Sequence, residues 1–305
     1  MSNNMRVLTI IIGDHRGGQI AWESLETNLL KFLNSDLALL FEDENLKMEN
    51  LLTKKAKFVW TVPYKYNWDD YFIEEYSPNI VKNFLIGSKT SFAGGIKNNP
   101  GSGARLLGFR DILLKNYIEI IESYDQIILT RSDYLYIEKY PLLDNSFIWI
   151  PEGEDYGGLQ DGHNVFPSYL ARDVLSICKN LERENFDLLN MRTISPETIL
   201  EEHFKFENLY KLVKRYERIQ FSVATKKDSS NWSNAKYKTF FYGNLLIKYP
   251  SQFLNIYKNN RTFRKRFKNK INYYLILLQQ YLFKKISNIV KFTNYHIKKR
   301  IHFIS

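Results

Sequence analysis

The sequence predicts an α/β protein in which a mostly parallel, Rossmann-like sheet is flanked by helices. Two runs of β-branched and aliphatic residues, 7–12 and 126–129, have no polar face. This is typical of parallel strands that are covered by helices on both sides. Between such runs, apolar residues recur at helical spacing. The chain has 305 residues, of which 44% are hydrophobic, and this is enough for one large core.

The strands and helices are predicted from their apolar spacing and from the turn residues that bound them. Strands are expected at 7–12, 37–41, 58–62, 126–129, 147–150 and 221–224. Helices are expected at 20–33, within 46–57, and at 104–121, 168–181 and 195–206. The first strand, the loop 13–18, the first helix and the second strand form a βαβ unit, and the first strand is expected at the centre of the sheet.

The charge of the chain is unevenly distributed. Thirteen of the 43 Lys and Arg residues lie in residues 255–305, which contain no Asp or Glu, so residues 1–254 carry 30 basic against 33 acidic side chains. We therefore expect a main domain over 1–254 and a basic tail over 255–305. The tail contains an apolar aromatic stretch at 271–283 that is too short to span a bilayer. An amphipathic helical tail that binds an anionic membrane surface is expected.

The single cysteine, Cys178, lies among apolar residues at helical spacing. A disulfide framework and a Cys-rich zinc site are therefore excluded, and a buried thiol is expected. The first apolar run ends after six residues at Gly13, which does not match a secretory signal. We expect the protein to be cytoplasmic and peripheral to the inner face of the cytoplasmic membrane.

Residues 64–76 are unusually aromatic and acidic and include Trp68 and Tyr71. Two interpretations remain open for this segment. It is either a loop that stacks on a sugar or docks a partner, or a set of aromatic residues that pack over the edge of the sheet.

A glycine-rich stretch at 94–103 precedes the helix at 104–121, and Arg105 and Arg110 fall in the first two turns of that helix. The free N–H groups and the dipole at a helix start favour phosphate, and arginine adds bidentate contacts. The stretch lacks the lysine and the spacing of a Walker loop. We predict an anion site here.

The strand at 126–129 continues through Thr130 into Arg131, Ser132 and Asp133. Ligand sites in open α/β sheets gather at the carboxyl ends of strands, because loops there carry polar groups while the strand stays rigid. Carboxylate oxygens are the ligands that Mg²⁺ and similar cations prefer. We therefore predict Asp133 as a metal ligand.

A second candidate segment follows the strand at 147–150. It contains the carboxylates of Glu154, Asp155 and Asp161, then His163, with several glycines between them. Packing does not explain so many ionisable side chains in one short segment. Buried carboxylates without partners are costly, and an exposed loop does not require several carboxylates and a histidine. We predict that this segment belongs to an active site.

A metal-dependent transferase that uses a nucleotide sugar would employ all these parts. A cation on Asp133 would stabilise the charge on the leaving nucleoside diphosphate. If the reaction inverts configuration, a second carboxylate accepts the proton of the acceptor hydroxyl, and Glu154, Asp155 and Asp161 all remain candidates. His163 either completes the metal shell or contacts the diphosphate.

The order of these elements resembles the GT-A glycosyltransferases, and more narrowly the bacterial and algal families related to lipopolysaccharide and capsule sugar transferases. The resemblance rests on the opening βαβ unit, on residues 131–133 and on residues 151–165, and it covers roughly residues 5–225. It implies a nucleotide-sugar donor, Mn²⁺ or Mg²⁺ as cofactor, and a nucleotide that binds at the loop 13–18.

In that superfamily an Asp-x-Asp element stands where this chain has Arg131, Ser132 and Asp133, so arginine replaces the first carboxylate. Either the remaining carboxylate binds a cation through the diphosphate, or Arg131 neutralises the charge itself. The resemblance also draws attention to Glu197, which otherwise complements the dipole of the helix that Ser195 begins. The residues expected to bind the donor are Gly13, Asp14, His15, Arg16, Gly17, Arg105, Arg110, Arg131 and Ser132.

The predicted function is a hexosyltransferase-like glycosyltransferase, with a UDP-sugar as the favoured donor and a glycan or lipid-linked acceptor in surface polysaccharide or lipooligosaccharide synthesis. Two alternatives remain open. One is a nucleic-acid-binding protein that uses the basic tail, and the acidic main domain argues against it. The other is a non-catalytic carbohydrate-binding protein on a transferase fold.

Overall fold

A computed structural model gives the fold of the chain. It describes residues 5–43, 49–65, 68–77, 103–180, 182–183, 195–228, 240–241, 245–249 and 252–253. The predicted tail at 255–305 and most of the glycine-rich stretch before the helix at 104–121 lie outside the described residues. Within the described ranges, no helix combines the length and the apolar character that a membrane crossing requires.

Two sheets contain the strands. The strands are β1 (Val7–Ile12), β2 (Asp36–Glu42), β3 (Phe58–Val62), β4 (Gln126–Thr130), β5 (Tyr134–Tyr136), β6 (Ile148–Pro151), β7 (Asn164–Pro167), β8 (Val213–Tyr216), β9 (Gln220–Ala224), β10 (Phe240–Phe241) and β11 (Leu245–Ile247). The seven-stranded main sheet has the order β3-β2-β1-β4-β7-β6-β8, and the four-stranded sheet has the order β10-β11-β9-β5.

The main sheet is mostly parallel, as the sequence predicts. Strands β3, β2, β1 and β4 are parallel neighbours, and β6 and β8 are parallel to each other. Strand β7 is antiparallel to both β4 and β6. The prediction of a central first strand is confirmed, because β1 lies between β2 and β4.

Both faces of β1 are buried, which explains why its sequence shows no alternation. Leu8 and Ile10 face one core cluster, and Val7 and Ile11 face another on the opposite side. Each strand side chain therefore removes apolar area from water, at roughly 25 cal/mol per Å². The α/β class that these runs predict is confirmed.

The helices connect and cover the strands. They are α1 (Gly18–Leu25), which continues through a π-helical turn (Glu26–Leu30) into α2 (Lys31–Leu33), then α3 (Leu51–Lys55), α4 (Trp68–Glu75), α5 (Gly103–Asn116), α6 (Ile118–Glu122), α7 (Ala171–Leu175), α8 (Ile177–Asn180) and α9 (Pro196–Phe206). Short 3₁₀ turns at Ser168–Leu170 and Tyr210–Leu212 precede α7 and β8.

Two predicted helices are interrupted in the structure. The helix expected at 104–121 divides at Tyr117, whose φ of −129° leaves the helical range and whose ring stacks on Trp60 of β3 at 4.3 Å. The helix expected at 168–181 divides at Ser176, where ψ is 19°. Apolar residues recur at helical spacing across both breaks, so the sequence pattern alone does not reveal where the helices are interrupted.

The smaller sheet begins immediately after Asp133. Strand β5 pairs with β9, so the chain passes from the end of β4 directly into the second sheet. Helix α1 packs on that sheet, with Ala21 in one apolar cluster with Leu135 and Phe221. Asp133 therefore sits at the junction of the two sheets.

The aromatic segment at 64–76 packs against the main domain. Trp68, Tyr71 and Phe72 are buried. Trp68 Nε1 donates to Glu42 at 2.8 Å, and the Tyr71 hydroxyl donates to Asp111 at 2.6 Å. For these three residues the packing interpretation is the correct one.

Candidate active site

The candidate active site lies at one edge of the main sheet. Strands β1 and β4 end side by side, with Ile11 paired to Thr130, and antiparallel β7 begins beside the end of β4. Strand β6 runs in the same direction as β4, since both are antiparallel to β7. Three predicted site segments therefore lie at this edge: residues 13–18, 131–133 and 152–163.

Asp133 is buried and is held by arginine. Nε of Arg131 donates to Oδ1 at 2.9 Å and Nη2 donates to Oδ2 at 2.6 Å, so this fork engages both carboxylate oxygens. Nη2 of Arg16 lies 3.8 Å from Oδ2. Burial alone would raise the pKa of Asp133, but Arg131 and Arg16 outweigh it and hold the pKa below its ordinary value. Asp133 is therefore an ionised carboxylate between two cations.

The loop after β1 is fastened to the loop after β4. Ser132 Oγ donates to the carbonyl of Asp14 and accepts from the backbone N–H of Arg16 at 3.0 Å. Gly17 has a φ of +86°, and a Cβ at this position would lie 2.8 Å from Cα of Asp133. Glycine is therefore required both for the left-handed backbone and for the close approach. These contacts fix Arg16 next to Asp133.

Arg105 is engaged by two carboxylates. Its guanidinium donates to both oxygens of Asp14, at 2.9 and 2.5 Å, and to Glu42 at 2.5 Å. Glu42 is buried, and burial raises its pKa although Arg105 opposes this. Sequence reasoning missed Glu42, which ends β2 and also accepts from Trp68.

His15 is a neutral side chain at the same edge. Burial lowers its pKa to about 4, although the nearby Asp14 carboxylate works in the opposite direction. Nδ1 accepts from Asn50 Nδ2 at 3.0 Å, and the ring packs edge-on against Phe41 with centroids 3.8 Å apart. Nε2 is buried and has no hydrogen-bond partner among the described residues. It is thus a donor that a ligand could use.

Arg110 and His163 lie in the core. Arg110 is buried, and Nη2 donates to the carbonyl of Asp161 at 2.8 Å and to Asn164. Both ring nitrogens of His163 are hydrogen bonded, Nε2 to the Tyr140 hydroxyl at 2.7 Å and Nδ1 to Thr130 at 2.8 Å. Burial lowers the pKa of His163 to about 3.

These partners bear on two predictions. Arg105 is paired with carboxylates and Arg110 is bound to core oxygens, and most of the glycine-rich stretch lies outside the described residues, so the anion site stays a prediction. His163 is a hydrogen-bonded core residue, so its ring nitrogens are not free for a metal ion or a diphosphate.

Glu154 and Asp155 are paired with arginines. Glu154 lies 3.0 Å from Nη1 of Arg218 and accepts from Ser222 at 3.2 Å. Asp155 accepts from Arg215 at 2.7 Å. Each carboxylate is therefore already engaged by an arginine of the same sheet edge.

Asp161 and Glu197 are two carboxylates whose charges interact. Burial and the nearby Asp161 raise the pKa of Glu197 to about 8, and burial also raises the pKa of Asp161. Glu197 is 8% exposed, and its Oε2 has no hydrogen-bond partner in the described part of the chain. A carboxylate of this kind takes up a proton near neutral pH.

Glu197 is positioned by its helix and by the glycine loop. Ser195 caps α9, and Pro196 occupies the first helical position. The carbonyl of Glu197 accepts from Leu159 N at 3.0 Å. Gly158 lies against that same carbonyl so closely that any Cβ would collide with it. The helix start thus brings Glu197 toward the loop that contains Asp161.

Lys248, which follows β11, was missed by the sequence analysis. Its Nζ lies 5.1 Å from the ring centroid of Tyr156 and 5.3 Å from that of Tyr249. Glu154 Oε2 is 3.8 Å away. Burial lowers the pKa of Lys248, although the carboxylates of Glu154, Asp133 and Glu197 oppose this. No local signal in its sequence identified this lysine, because tertiary folding alone brings it to the edge.

Asp228 also reaches the site from a distant segment. Its Oδ2 accepts from the backbone N–H of Gly17 at 3.1 Å and from Thr225 N at 2.6 Å. The carboxylate therefore satisfies the first free N–H at the start of α1, and it complements the dipole of that helix. A ligand at this edge therefore does not need to accept a hydrogen bond from the backbone N–H of Gly17.

A divalent cation does not fit the described residues as they are arranged. Such ions take several oxygen ligands, yet the fork from Arg131 engages both oxygens of Asp133. Across the described ranges, no group of three or more His, Cys, Asp or Glu side chains could hold an ion. Asp133 and His163 both have hydrogen-bond partners in the described structure, and a metal site that includes them stays a prediction.

Comparison with known proteins does not assign the chain to a family. No protein-family model matches it, and no curated protein matches it. The resemblance to GT-A glycosyltransferases therefore stays a prediction from residues 131–133 and 151–165. Any functional inference rests on the geometry of the edge of the sheet.

Proposed function

We propose that this protein is a GT-A-type glycosyltransferase that moves a sugar from a nucleotide-sugar donor to a hydroxyl group of a glycan or lipid-linked acceptor. The observation that carries the proposal is the presence of two chemistries at one edge: cations around Asp133, and the carboxylates of Asp161 and Glu197. Sugar transfer needs both, because the nucleoside diphosphate leaves with negative charge and the acceptor hydroxyl loses a proton.

The architecture supports the proposal. Ligands of open α/β sheets bind outside the carboxyl ends of parallel strands, and the loops 13–18 and 131–133 meet there. The resemblance expects the nucleotide at the first of these loops. Because one fold hosts many functions, the side chains at the edge support the assignment more strongly than the sheet does.

We assign Glu197 as the base of an inverting transfer. The acceptor oxygen forms a bond to the anomeric carbon while the bond from that carbon to the diphosphate oxygen breaks. The proton of the acceptor hydroxyl passes to the ionised form of Glu197, whose share increases as the pH approaches the pKa of about 8, and the electron pair leaves with the diphosphate. Asp161 raises the proton affinity of Glu197 by its charge. Glu154 and Asp155 have no such role, because each is paired with an arginine.

The donor base is the first property to test. We expect one of UDP, GDP, CDP and ADP to raise the melting temperature, because a ligand that binds only the folded state stabilises it. A UDP-sugar is the favoured donor. If none of the four diphosphates shifts the melting temperature, with or without Mg²⁺ or Mn²⁺, the proposal fails.

The base assignment has its own test. Glu197→Gln keeps the size of the side chain but cannot accept the proton, so we expect it to bind the diphosphate as the wild type does and to lose transfer. Glu202→Gln, at a more exposed position of the same helix, is the control. This variant should retain both diphosphate binding and sugar transfer. Full transfer by Glu197→Gln would remove Glu197 from the mechanism.

A further inference from the structure

We propose that the cations at this edge, Arg16 and Lys248 beside the Arg131–Asp133 pair, bind the phosphate groups of the donor directly, in the place where a divalent cation would be expected. This inference rests on the proposed function for the identity of the donor. The chemistry that it assigns, recognition of a diphosphate by protein cations, is testable without a nucleotide.

Asp133 serves to position Arg131. The two hydrogen bonds between them, at 2.9 and 2.6 Å, neutralise the carboxylate and orient the guanidinium plane. The side chain of Asp133 is 3% exposed, and that of Arg131 is 19% exposed. A metal ion at Asp133 would have to displace this fork, whereas a phosphate group can approach the arginine from its open side.

Arg16 is a second cation, and its hydrogen-bonding capacity is largely unused. Its guanidinium has one ion-pair contact within the described residues, at 3.8 Å from Asp133, and its Nε is buried without a partner there. Its backbone is fixed on both sides, because its N–H donates to Ser132 and its carbonyl accepts from Trp22 Nε1 at 2.9 Å. A fixed guanidinium with free donors suits phosphate, which accepts two parallel hydrogen bonds.

Lys248, which follows β11 of the smaller sheet, is a third cation at this edge. Its side chain is 14% exposed, and within the described part of the chain the only carboxylate within 4 Å is Glu154 at 3.8 Å. Glu154 is already paired with Arg218 at 3.0 Å. The ammonium thus has two aromatic rings and one shared carboxylate as neighbours, and an anionic ligand would add a closer charge partner. The backbone N–H of Lys248 donates to the carbonyl of Ser222 at 2.9 Å, and Ser222 is paired with Tyr134, the residue after Asp133. Lys248 therefore follows the strand end that lies beside the Arg131–Asp133 pair.

The carboxylates that lie within 4 Å of Arg16 and Lys248 in the described structure have closer arginine partners. Asp133 is balanced by Arg131, and Glu154 by Arg218. Burial raises the pKa of Asp161, and burial together with the charge of Asp161 raises the pKa of Glu197 to about 8, so these two groups carry less than their full charge near neutral pH. Neither Asp133 nor Glu154 therefore depends on Arg16 or Lys248 as its main partner, so both cations can interact with a ligand that has two phosphate groups.

The test uses inorganic pyrophosphate and the best nucleoside diphosphate, each titrated calorimetrically in the presence of EDTA and in the presence of Mg²⁺. We expect both to bind in EDTA with affinities within about threefold of those with Mg²⁺. Arg16→Ala should weaken both by about tenfold or more, because it removes a bidentate guanidinium. Arg172→Ala is the matched control, since this exposed arginine pairs with Glu119 and Glu122 far from the site.

A second variant covers the case in which Arg16→Ala is poorly folded. Lys248→Gln keeps most of the apolar stem and should weaken pyrophosphate binding in EDTA. If both ligands bind only with Mg²⁺, the inference is wrong and the proposed function stands. If pyrophosphate binds in EDTA but no nucleoside diphosphate binds under either condition, the cation site is real and the proposed function is wrong.

Discussion

At the scale of single residues, the environment of each carboxylate decides its role. Asp133 is held by an arginine fork, Glu154 and Asp155 are paired with arginines, and Glu197 has an unpartnered buried oxygen in the described structure. The sequence could identify Asp133, Glu154 and Asp155 as candidates because they follow strands, whereas the family resemblance drew attention to Glu197. It could not rank them, since the ranking depends on partners from distant segments.

Asp133→Asn tests the arginine fork. The change leaves the charge of Arg131 without its partner, so we expect a loss of unfolding free energy of about 2 kcal/mol or more. Urea denaturation measures it. An unchanged unfolding free energy would contradict the structural role of the buried pair.

Asp36→Asn is the control for that prediction. Asp36 forms a pair with Lys57 at 2.6 Å, but both side chains are substantially exposed, at 39% and 54%. Exposed pairs contribute little, so we expect a clearly smaller loss. Equal losses in the two variants would contradict the structural role assigned to Asp133.

Glu197→Gln tests the raised pKa. The folded protein holds a proton on Glu197 up to about pH 8, whereas the unfolded chain releases it near the ordinary value of 4.5. The unfolded state therefore binds fewer protons between these values, and the contribution of Glu197 to stability falls as the pH rises through this window. The charges of Asp161 and Lys248 act on the same group.

The measurement is the unfolding free energy in urea at several pH values between about 5 and about 8. We expect the wild type to lose more stability over this range than Glu197→Gln does, since glutamine does not titrate. Glu202→Gln should follow the wild type, because Glu202 is an exposed residue of the same helix. Identical pH profiles for the wild type and Glu197→Gln would refute the raised pKa.

At the scale of elements, local pattern predicts the strands that the core buries on both faces. The predicted bounds of β1 and β3 are confirmed, and those of β2, β4, β6 and β9 hold within one residue at each end. Strands β5, β7, β8, β10 and β11 were missed. The first two are only three and four residues long, and β8 is an edge strand with exposed Lys214, so its sequence carries little apolar signal.

Gly17→Ala tests how the first loop is fixed against the end of β4. The substitution places a Cβ 2.8 Å from Cα of Asp133 and 3.1 Å from Cβ of Ala21, in a backbone with φ of +86°. We expect a lower melting temperature and weaker pyrophosphate binding, because Arg16 would shift with the loop.

Gly13→Ala is the matched control for the steric part of that effect. Gly13 also has a positive φ, of +99°, but its added Cβ would meet nothing within 4 Å. Both variants carry backbone strain, so the difference between them isolates the contact with Asp133. If Gly17→Ala is no more destabilising than Gly13→Ala, the close packing of loop and strand end is not important for stability.

At the scale of the whole molecule, the site is assembled from segments that are far apart in sequence. Arg16 follows β1, Asp133 joins the two sheets, Glu197 begins α9, and Lys248 follows β11. The sequence could predict the α/β class and the edge at which polar loops meet, because both follow from local pattern and strand direction. It could not predict that Glu197 and Lys248 lie at that edge. Glu197 is placed there by helix α9 and Lys248 by the smaller sheet, and both depend on tertiary folding.

The most direct test of the account is the release of nucleoside diphosphate from the matching nucleotide sugar, measured with the full-length protein with and without a glycan acceptor. We predict release by the wild type, at least slowly with water as acceptor, and loss of release in Glu197→Gln while diphosphate binding persists. Binding of the nucleotide sugar without any release by the wild type would contradict the account, and would instead indicate a carbohydrate-binding protein.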